Sequence, residues 1–307
     1  MTSAPTLDAV DVVIVGAGPA GLSAALMLGR CRRSVLVVDH GKPRNARSLA
    51  LHGYLTRDGI APATFLQHAR KDLAQYDTVK VVDGEAVSAR CLPTGKFSVA
   101  LGTGAEYLSR KLLLATGVVD NLPDIPGFKE LYGTSVFHCP YCDGWEWRDQ
   151  PMAIYGSGIR GFGVALEMTA WSSDLVLCTD GPSGIDADGV ARLARNRIAI
   201  REERVARLEG RDGLLSQIVF RDGATLPRRV VFFSTGQYQR SDLLSRLGCE
   251  FNDKGTVRTG KYETTHLPGL YVCGDASRAV QWAVVAASEG AEAAFAINTD
   301  LIKENLK

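Results

Sequence analysis

DVVIVGAGPAGLSAALMLGR (11–30) starts as a short apolar, β-branched run, passes through three spaced glycines, and continues in residues that favour a helix. SVLVVD (34–39) is a second apolar run directly after it. Strand, tight turn, helix and strand make a βαβ unit, which requires a parallel sheet and a right-handed crossover. The expected fold class is therefore α/β. Gly16, Gly18 and Gly21 form G-x-G-x-x-G at the mouth of the helix, the setting of a dinucleotide fingerprint. Gly16 permits the turn, Gly18 lets the backbone approach a pyrophosphate, and Gly21 lets helix and strand pack. The helix N-terminus offers its N–H groups to the anion. Asp39, closing the second strand, is placed to accept hydrogen bonds from a ribose diol.

Outward from this unit, short strands are expected at VKVVDG (79–84), KFSVAL (96–101) and KLLLATG (111–117). After NLPDIPG (121–127) the pattern restarts. PMAIYGSGIRG (151–161) is again a strand running into a glycine turn, followed by helix-compatible FGVALEMTAW (162–171) and strand DLVLC (174–178). Gly156, Gly158 and Gly161 repeat the first spacing, and Asp180 stands in the acid's position. Two nucleotide-shaped pockets are expected; a duplicated domain keeping its glycine turn for folding alone is the competing reading. STG at 234–236 echoes ATG at 115–117, LPGLYVCGDAS (267–277) reads as strand and turn, and VVAASEGAEAAFAIN (284–298) as a small-residue helix able to pack closely.

At 307 residues the chain is long enough for two domains. Its 35 basic and 34 acidic residues give a net charge of +1, which leaves no global field to favour nucleic acid or an anionic membrane. No apolar run reaches the roughly 18 residues of a spanning helix, and the start lacks a basic n-region and an apolar h-region, so a cytoplasmic location is expected. Thiols are reduced there, and of seven cysteines only Cys139 and Cys142 are closely spaced. Cysteines three residues apart can reach disulfide geometry across a turn, and a helix start beside them would stabilise a thiolate. A zinc ribbon needs a second pair, so no metal is expected. Asp143 reads either as a general acid for the leaving thiolate or as a helix cap.

GAGPAG, ATG, His138-Cys139-Pro140-Tyr141-Cys142-Asp143-Gly144 and YVCGDAS, in this order, resemble the low-molecular-weight thioredoxin reductases over nearly the whole chain. The resemblance implies two Rossmann-like three-layer nucleotide-binding domains. The FAD-binding domain would comprise 1–118 and 239–307, and a pyridine-nucleotide-like domain carrying the cysteines, 119–238, would be inserted between. It implies FAD as cofactor and a homodimer. Cofactor contacts would come from the first glycine turn with Pro19 and Ala20, from Asp39 and Asn45, and from Thr116 and Gly117. Gly274, Asp275, Gln281 and Trp282 would complete them, with Asp275 on the ribityl chain. Cys142 would face the flavin and Cys139 would attack the partner disulfide, with Asp143 as acid.

Three departures redirect this expectation. Where the reductases carry a His-Arg-Arg cluster for the 2′-phosphate of NADPH, this chain has Thr179, Asp180 and Gly181. An aspartate there repels the phosphate by on the order of 1 kcal/mol or more, so NADPH is disfavoured. Ile159-Arg160-Gly161-Phe162 alters the second glycine turn, and Gln281-Trp282-Ala283 stands where the family has Arg-Gln-Ala. The Trp282 indole is open to stacking on the isoalloxazine or packing at a dimer interface. Such losses mark ferredoxin-linked, diflavin-linked and dithiol-oxidase relatives. The expected function is an FAD-dependent dithiol/disulfide oxidoreductase that does not use NADPH, acting on a thioredoxin-like protein or a small molecule. A ferredoxin-type donor and a second flavin, near Tyr141, Trp145 or Trp147, belong to this expectation. A conventional NADPH-dependent thioredoxin reductase, an oxygen-dependent dithiol oxidase and a non-catalytic redox sensor are the alternatives.

Overall fold

The computed structural model describes residues 9–307. The reading of the first eight residues as free of a signal lies outside the described residues. The chain opens with β1 (Val10–Val15), α1 (Pro19–Arg30), β2 (Val35–Asp39), α2 (Pro62–Leu73), β3 (Val79–Asp83), β4 (Ala86–Cys91), β5 (Phe97–Leu101) and β6 (Glu106–Leu114). It continues through β7 (Val118–Asp120), α3 (Phe128–Leu131), β8 (Val136–Phe137), α4 (Pro140–Asp143), β9 (Met152–Tyr155), α5 (Gly158–Glu167), β10 (Leu175–Cys178) and α6 (Ala187–Arg195). Then come β11 (Ala199–Arg201), β12 (Val205–Arg211), β13 (Leu214–Phe220), β14 (Thr225–Pro227), β15 (Val230–Phe233), β16 (Gln237–Gln239), α7 (Leu243–Arg246), β17 (Leu270–Val272) and α8 (Ala283–Asn305).

These elements form two compact units. The first comprises the described residues through Ala46 with Tyr54–Val119 and Tyr238–Lys307; the second comprises Arg47–Gly53 with Asp120–Gln237. Residues 47–53, expected in the first domain, thus belong to the second. Their tie is tertiary: Arg47 Nη1 donates to the Lys129 carbonyl at 2.6 Å, and Gly133 lies so close to the Arg47 backbone that a side chain there would strike it.

In the first unit the sheet runs β3-β2-β1-β6-β5-β4, with β17 also on β6. β1 lies parallel between β2 and β6, and β6 shares its other edge between antiparallel β5 and parallel β17. Alternation explains the double burial of β1. Val12 and Ile14 enter the core under α1 and α8, whereas Val13 and Val15 enter the core on the opposite face. β4 carries no apolar run for the sequence to show, because four of its six residues are exposed.

The second unit repeats the design. Its sheet, β11-β10-β9-β15-β8, is parallel throughout, with a separate antiparallel sheet β12-β13-β14. Met152 and Ile154 pack with α5 and α6 residues such as Ala165 and Leu193, while Ala153 packs toward β12 and β13 through Val205 and Ile218. Each unit is an α/β, Rossmann-like three-layer domain. No described helix is long and apolar enough to cross a membrane.

Candidate functional site

In the first unit the glycine turn is built as the fingerprint requires. Gly16 has φ +108°, and a Cβ there would run into the Ala115 carbonyl; a Cβ on Gly21 would run into the Gly16 carbonyl. Gly16 also donates to the Val38 carbonyl at 2.8 Å, which ties the turn to the strand ending in Asp39. Gly18 is the N-cap of α1, carries no side-chain cap, and faces open space where its Cβ would be; Pro19 opens the helix. Gly117 is left-handed, φ +67°, and equally open. Beside it, the Thr116 hydroxyl is buried without a hydrogen-bond partner, one of few such atoms among the described residues. A capless helix start, two open glycines and an orphaned buried hydroxyl fit a dinucleotide's phosphates and sugars. Asp39 accepts from the Gly41 N–H at 3.0 Å and pairs with Arg70, a partner that no local pattern announced.

Gly274 (φ +73°) begins the turn that presents Asp275. Asp275 pairs with Arg44 at 2.8 Å, and Arg44 also donates to Gln281 Oε1 at 2.7 Å. Gln281 Nε2 donates in turn to the carbonyls of Asp275 and Arg278, at 3.2 and 3.1 Å. Asp275 and Gln281 are thereby brought together, and Arg44, which sequence reasoning missed, is the residue that joins them. Its neighbour Asn45 is half-buried, and Trp282 is the N-cap of α8. Where this cradle fits FAD, Gly18, Thr116, Arg44 and Asp275 are the residues placed to hold it.

In the second unit Cys139 and Cys142 form a disulfide with Cα atoms 5.3 Å apart. Cys139 is the N-cap of α4, a helix of only 4 residues. The expected dipole contribution to a thiolate is accordingly small, since a single turn sums few peptide dipoles. Asp143 is the last residue of α4 and caps no helix, unlike Asp186, whose carboxylate accepts from the Gly189 N–H at the start of α6. Burial, reinforced by Glu146, pushes the Asp143 carboxyl up to about 7. A side chain on Gly144 would meet the Pro140 carbonyl and the Trp171 ring, so the chain must be bare just after the pair. Tyr141 stands edge-on to Trp171, with ring centroids 5.4 Å apart, and is largely exposed, as is Trp145. His138 Nδ1 lies 3.1 Å from the Tyr132 hydroxyl, which donates to Asp120 at 2.8 Å.

The second glycine turn matches the first in spacing and departs from it in backbone. Here Ser157 is the N-cap, and Gly158, the first residue of α5, is left-handed at φ +57°. The Gly158 N–H donates to the Ser183 carbonyl at 2.7 Å, so the loop after β10 takes the donor that a pyrophosphate would need. Gly161 still packs against the Gly156 carbonyl, as the folding role demands. Asp180, expected to meet a ribose, instead has φ +53° and accepts from the Val205 N–H at 2.6 Å and the Tyr155 hydroxyl at 3.0 Å. As at Asp39, both carboxylate oxygens serve the protein's own donors. A cavity of about 620 Å³ opens nearby, lined among others by Gly158, Ile159, Phe162, Ile185, Arg192 and Arg195. Tyr141, Trp145 and Trp147, the aromatics expected near a second ligand, do not line it.

A family model described as pyridine nucleotide-disulphide oxidoreductase matches residues 10–290. The chain is 33% identical over 283 residues to thioredoxin reductase tcpT of Claviceps purpurea, covering 88% of this chain and 87% of that one. It is similar in structure to TrxB of Bacillus anthracis, with a TM-score of 0.92, 32% identity and coverage of 96% and 99% of the two chains. The corresponding values for HlmI are 0.93, 35%, 97% and 94%.

Proposed function

Since the chain belongs to the pyridine nucleotide-disulphide oxidoreductase family and is a thioredoxin reductase-like flavoprotein disulfide oxidoreductase, we propose that it exchanges electron pairs between FAD in its first unit and Cys139/Cys142 without using NADPH. One contrast carries the reading: both glycines leave open space where a Cβ would be, but the Gly158 N–H donates to the Ser183 carbonyl, a bond with no counterpart at Gly18 among the described residues. Thr179, Asp180 and Gly181 bring no cation of their own, and Arg204 beside them is paired with Asp180, which supports it, as does the use of Asp180 within the fold.

Bound FAD supplies a two-electron redox centre. The protein's own chemistry is thiol–disulfide exchange. When a substrate dithiol is closed, one thiolate attacks the Cys139–Cys142 bond, a mixed disulfide forms, and the second substrate thiolate releases it. Two electrons and two protons then reside on the cysteine pair, which passes them on; the reverse sequence opens a substrate disulfide. Asp143, neutral below about pH 7, gives the proton to the departing thiolate. The substrate in this proposal is a thioredoxin-like disulfide or a small dithiol, with a ferredoxin-type protein or oxygen as the redox partner in place of NADPH. Homodimerisation belongs to the proposal and rests on the family likeness alone.

Anaerobic mixing with NADPH and NADH is the test. The flavin band at about 450 nm should persist with either nucleotide. Rapid bleaching by micromolar NADPH would overturn the proposal.

One observation favours a second reading. Arg192 and Arg195 line the cavity at Gly158 and supply cations that positions 179–181 lack, so a phosphate-bearing ligand, either NADPH or a second flavin, has a place to bind. Flavin quantitation separates the two, since a ratio of one FAD per chain counts against a second flavin.

A further inference from the structure

α8 packs on α1 through small residues, yet it carries one buried carboxylate, Glu289, only 6% exposed. Glu289 Oε2 accepts the Gly274 N–H at 2.7 Å, and its Oε1 accepts Arg278 Nε at 2.9 Å. The same guanidinium pairs with Glu263, which is fully buried on a neighbouring turn. Gly274 and Arg278 bracket Asp275, whose carboxylate meets Arg44 at 2.8 Å. One carboxylate on a helix thus grips both ends of the turn that presents Asp275. Two buried carboxylates around a single cation are costly, and a small-residue helix contact has no need of them.

We propose that Glu289 is a positioning residue for the flavin: it clamps the Gly274–Arg278 turn so that Asp275 is presented to the ligand, and the clamp depends on the carboxylate's charge. The proposal rests on the reading that the first unit holds FAD. Ionised Glu289 accepts from both donors at once, whereas the protonated acid turns one oxygen into a donor and loses a grip point. Burial first, then Glu263, pushes the Glu289 carboxyl up to about 7 against the pull of the Gly274 N–H and Arg278. The other charged or titratable groups around it are Glu292, which acts on Glu263, and the Cys273 thiol, which burial holds well above its usual range and hence neutral. FAD binding, by favouring the clamped turn, favours the ionised acid, so affinity rises with pH through neutrality.

The experiment follows FAD release from diluted holoprotein by flavin fluorescence, for the wild type, Glu289→Gln and Glu289→Ala. Wild-type affinity should rise about tenfold between about pH 6 and pH 8. E289Q, which can keep the Gly274 contact but cannot ionise, should give a flat profile, and E289A should release FAD about tenfold more readily at pH 8. If E289A fails to fold by circular dichroism, the near-isosteric E289Q still carries the test. A wild-type profile that E289Q reproduces would refute the role of Glu289 alone. A wild-type protein that takes up no FAD would strike down the functional reading itself.

Discussion

Arg44 and Asp275 lie 231 residues apart in the chain and meet in a 2.8 Å ion pair within the first unit. Their side chains are only 15% and 19% exposed, so removing either takes the opposite charge away from a largely buried group. The penalty for one such loss is roughly 1–3 kcal/mol. Arg44→Ala and Asp275→Ala should each lower FAD content on purification by about tenfold or more. The double variant should lose little beyond either single change, because the residues act as a pair. Fully additive losses would show that they act separately.

Asp143 yields a pH prediction with a definite sign. As proton donor to a leaving thiolate it works below about 7, so turnover in the disulfide-opening direction should fall as pH rises through that value. Asp143→Asn should lower turnover by ~10²–10⁴ and remove that limb of the pH profile. Stability runs in parallel. A carboxyl raised in the folded state favours folding while protonated, and that contribution fades as pH rises through about 7. D143N should accordingly melt higher than the wild type at alkaline pH and not at acidic pH. An unchanged pH–rate profile in D143N would assign the proton to another group.

These residues differ in how far the sequence exposed them. The first βαβ unit was legible because all its determinants are local: apolar strands, glycines and Asp39 lie within one short stretch. Cys139 and Cys142 were legible for the same reason. The second fingerprint was legible in spacing, but the tertiary contact from Ser183 that engages its Gly158 N–H was not, because glycine spacing is blind to it. Arg44, Arg70 and Glu289 could not be read at all. Each acquires its role from a partner that the fold brings near, at sequence separations of 231 for Arg44 with Asp275 and 31 for Arg70 with Asp39.

Asp180 separates a folding role from a ligand role. Asp180→Ala removes acceptors for the Val205 N–H and the Tyr155 hydroxyl, whose acidity burial, then Asp180, already holds far below the ordinary phenol. The cost should be about 1–3 kcal/mol of stability, seen as a lower denaturation midpoint, with no change in nucleotide binding. A variant of unchanged stability but altered NADH or NADPH binding would place Asp180 in the pocket.

The close approach of α8 to α1 is similarly exposed to test. A Cβ on Gly290 would run into the Ala20 carbonyl, in the first turn of the helix that carries the glycine cradle. Backbone cannot step aside as a flexible side chain can, so Gly290→Ala should force the helices apart at a cost of about 1–3 kcal/mol. The melting temperature should drop and flavin should be released more easily. A stable, fully flavinated G290A would mean that the helices have slack at this point.

The two cysteines should fail in different ways. In the order that the family likeness implies, Cys139 engages the substrate disulfide and Cys142 resolves the adduct, so both serine variants should lose turnover while keeping flavin. They part company in what accumulates. With Cys142→Ser, a Cys139 thiolate that attacks an aromatic disulfide probe has no neighbour to release it, and a mixed disulfide should persist. With Cys139→Ser the remaining Cys142 should label more slowly, because the family likeness turns its sulfur toward the flavin and gives the substrate to Cys139. Intact-mass spectrometry after a short incubation reads both adducts directly. The reverse pattern, fast labelling in C139S and little in C142S, would exchange the two roles, and multiple turnover by either variant would remove the cysteine pair from the reaction.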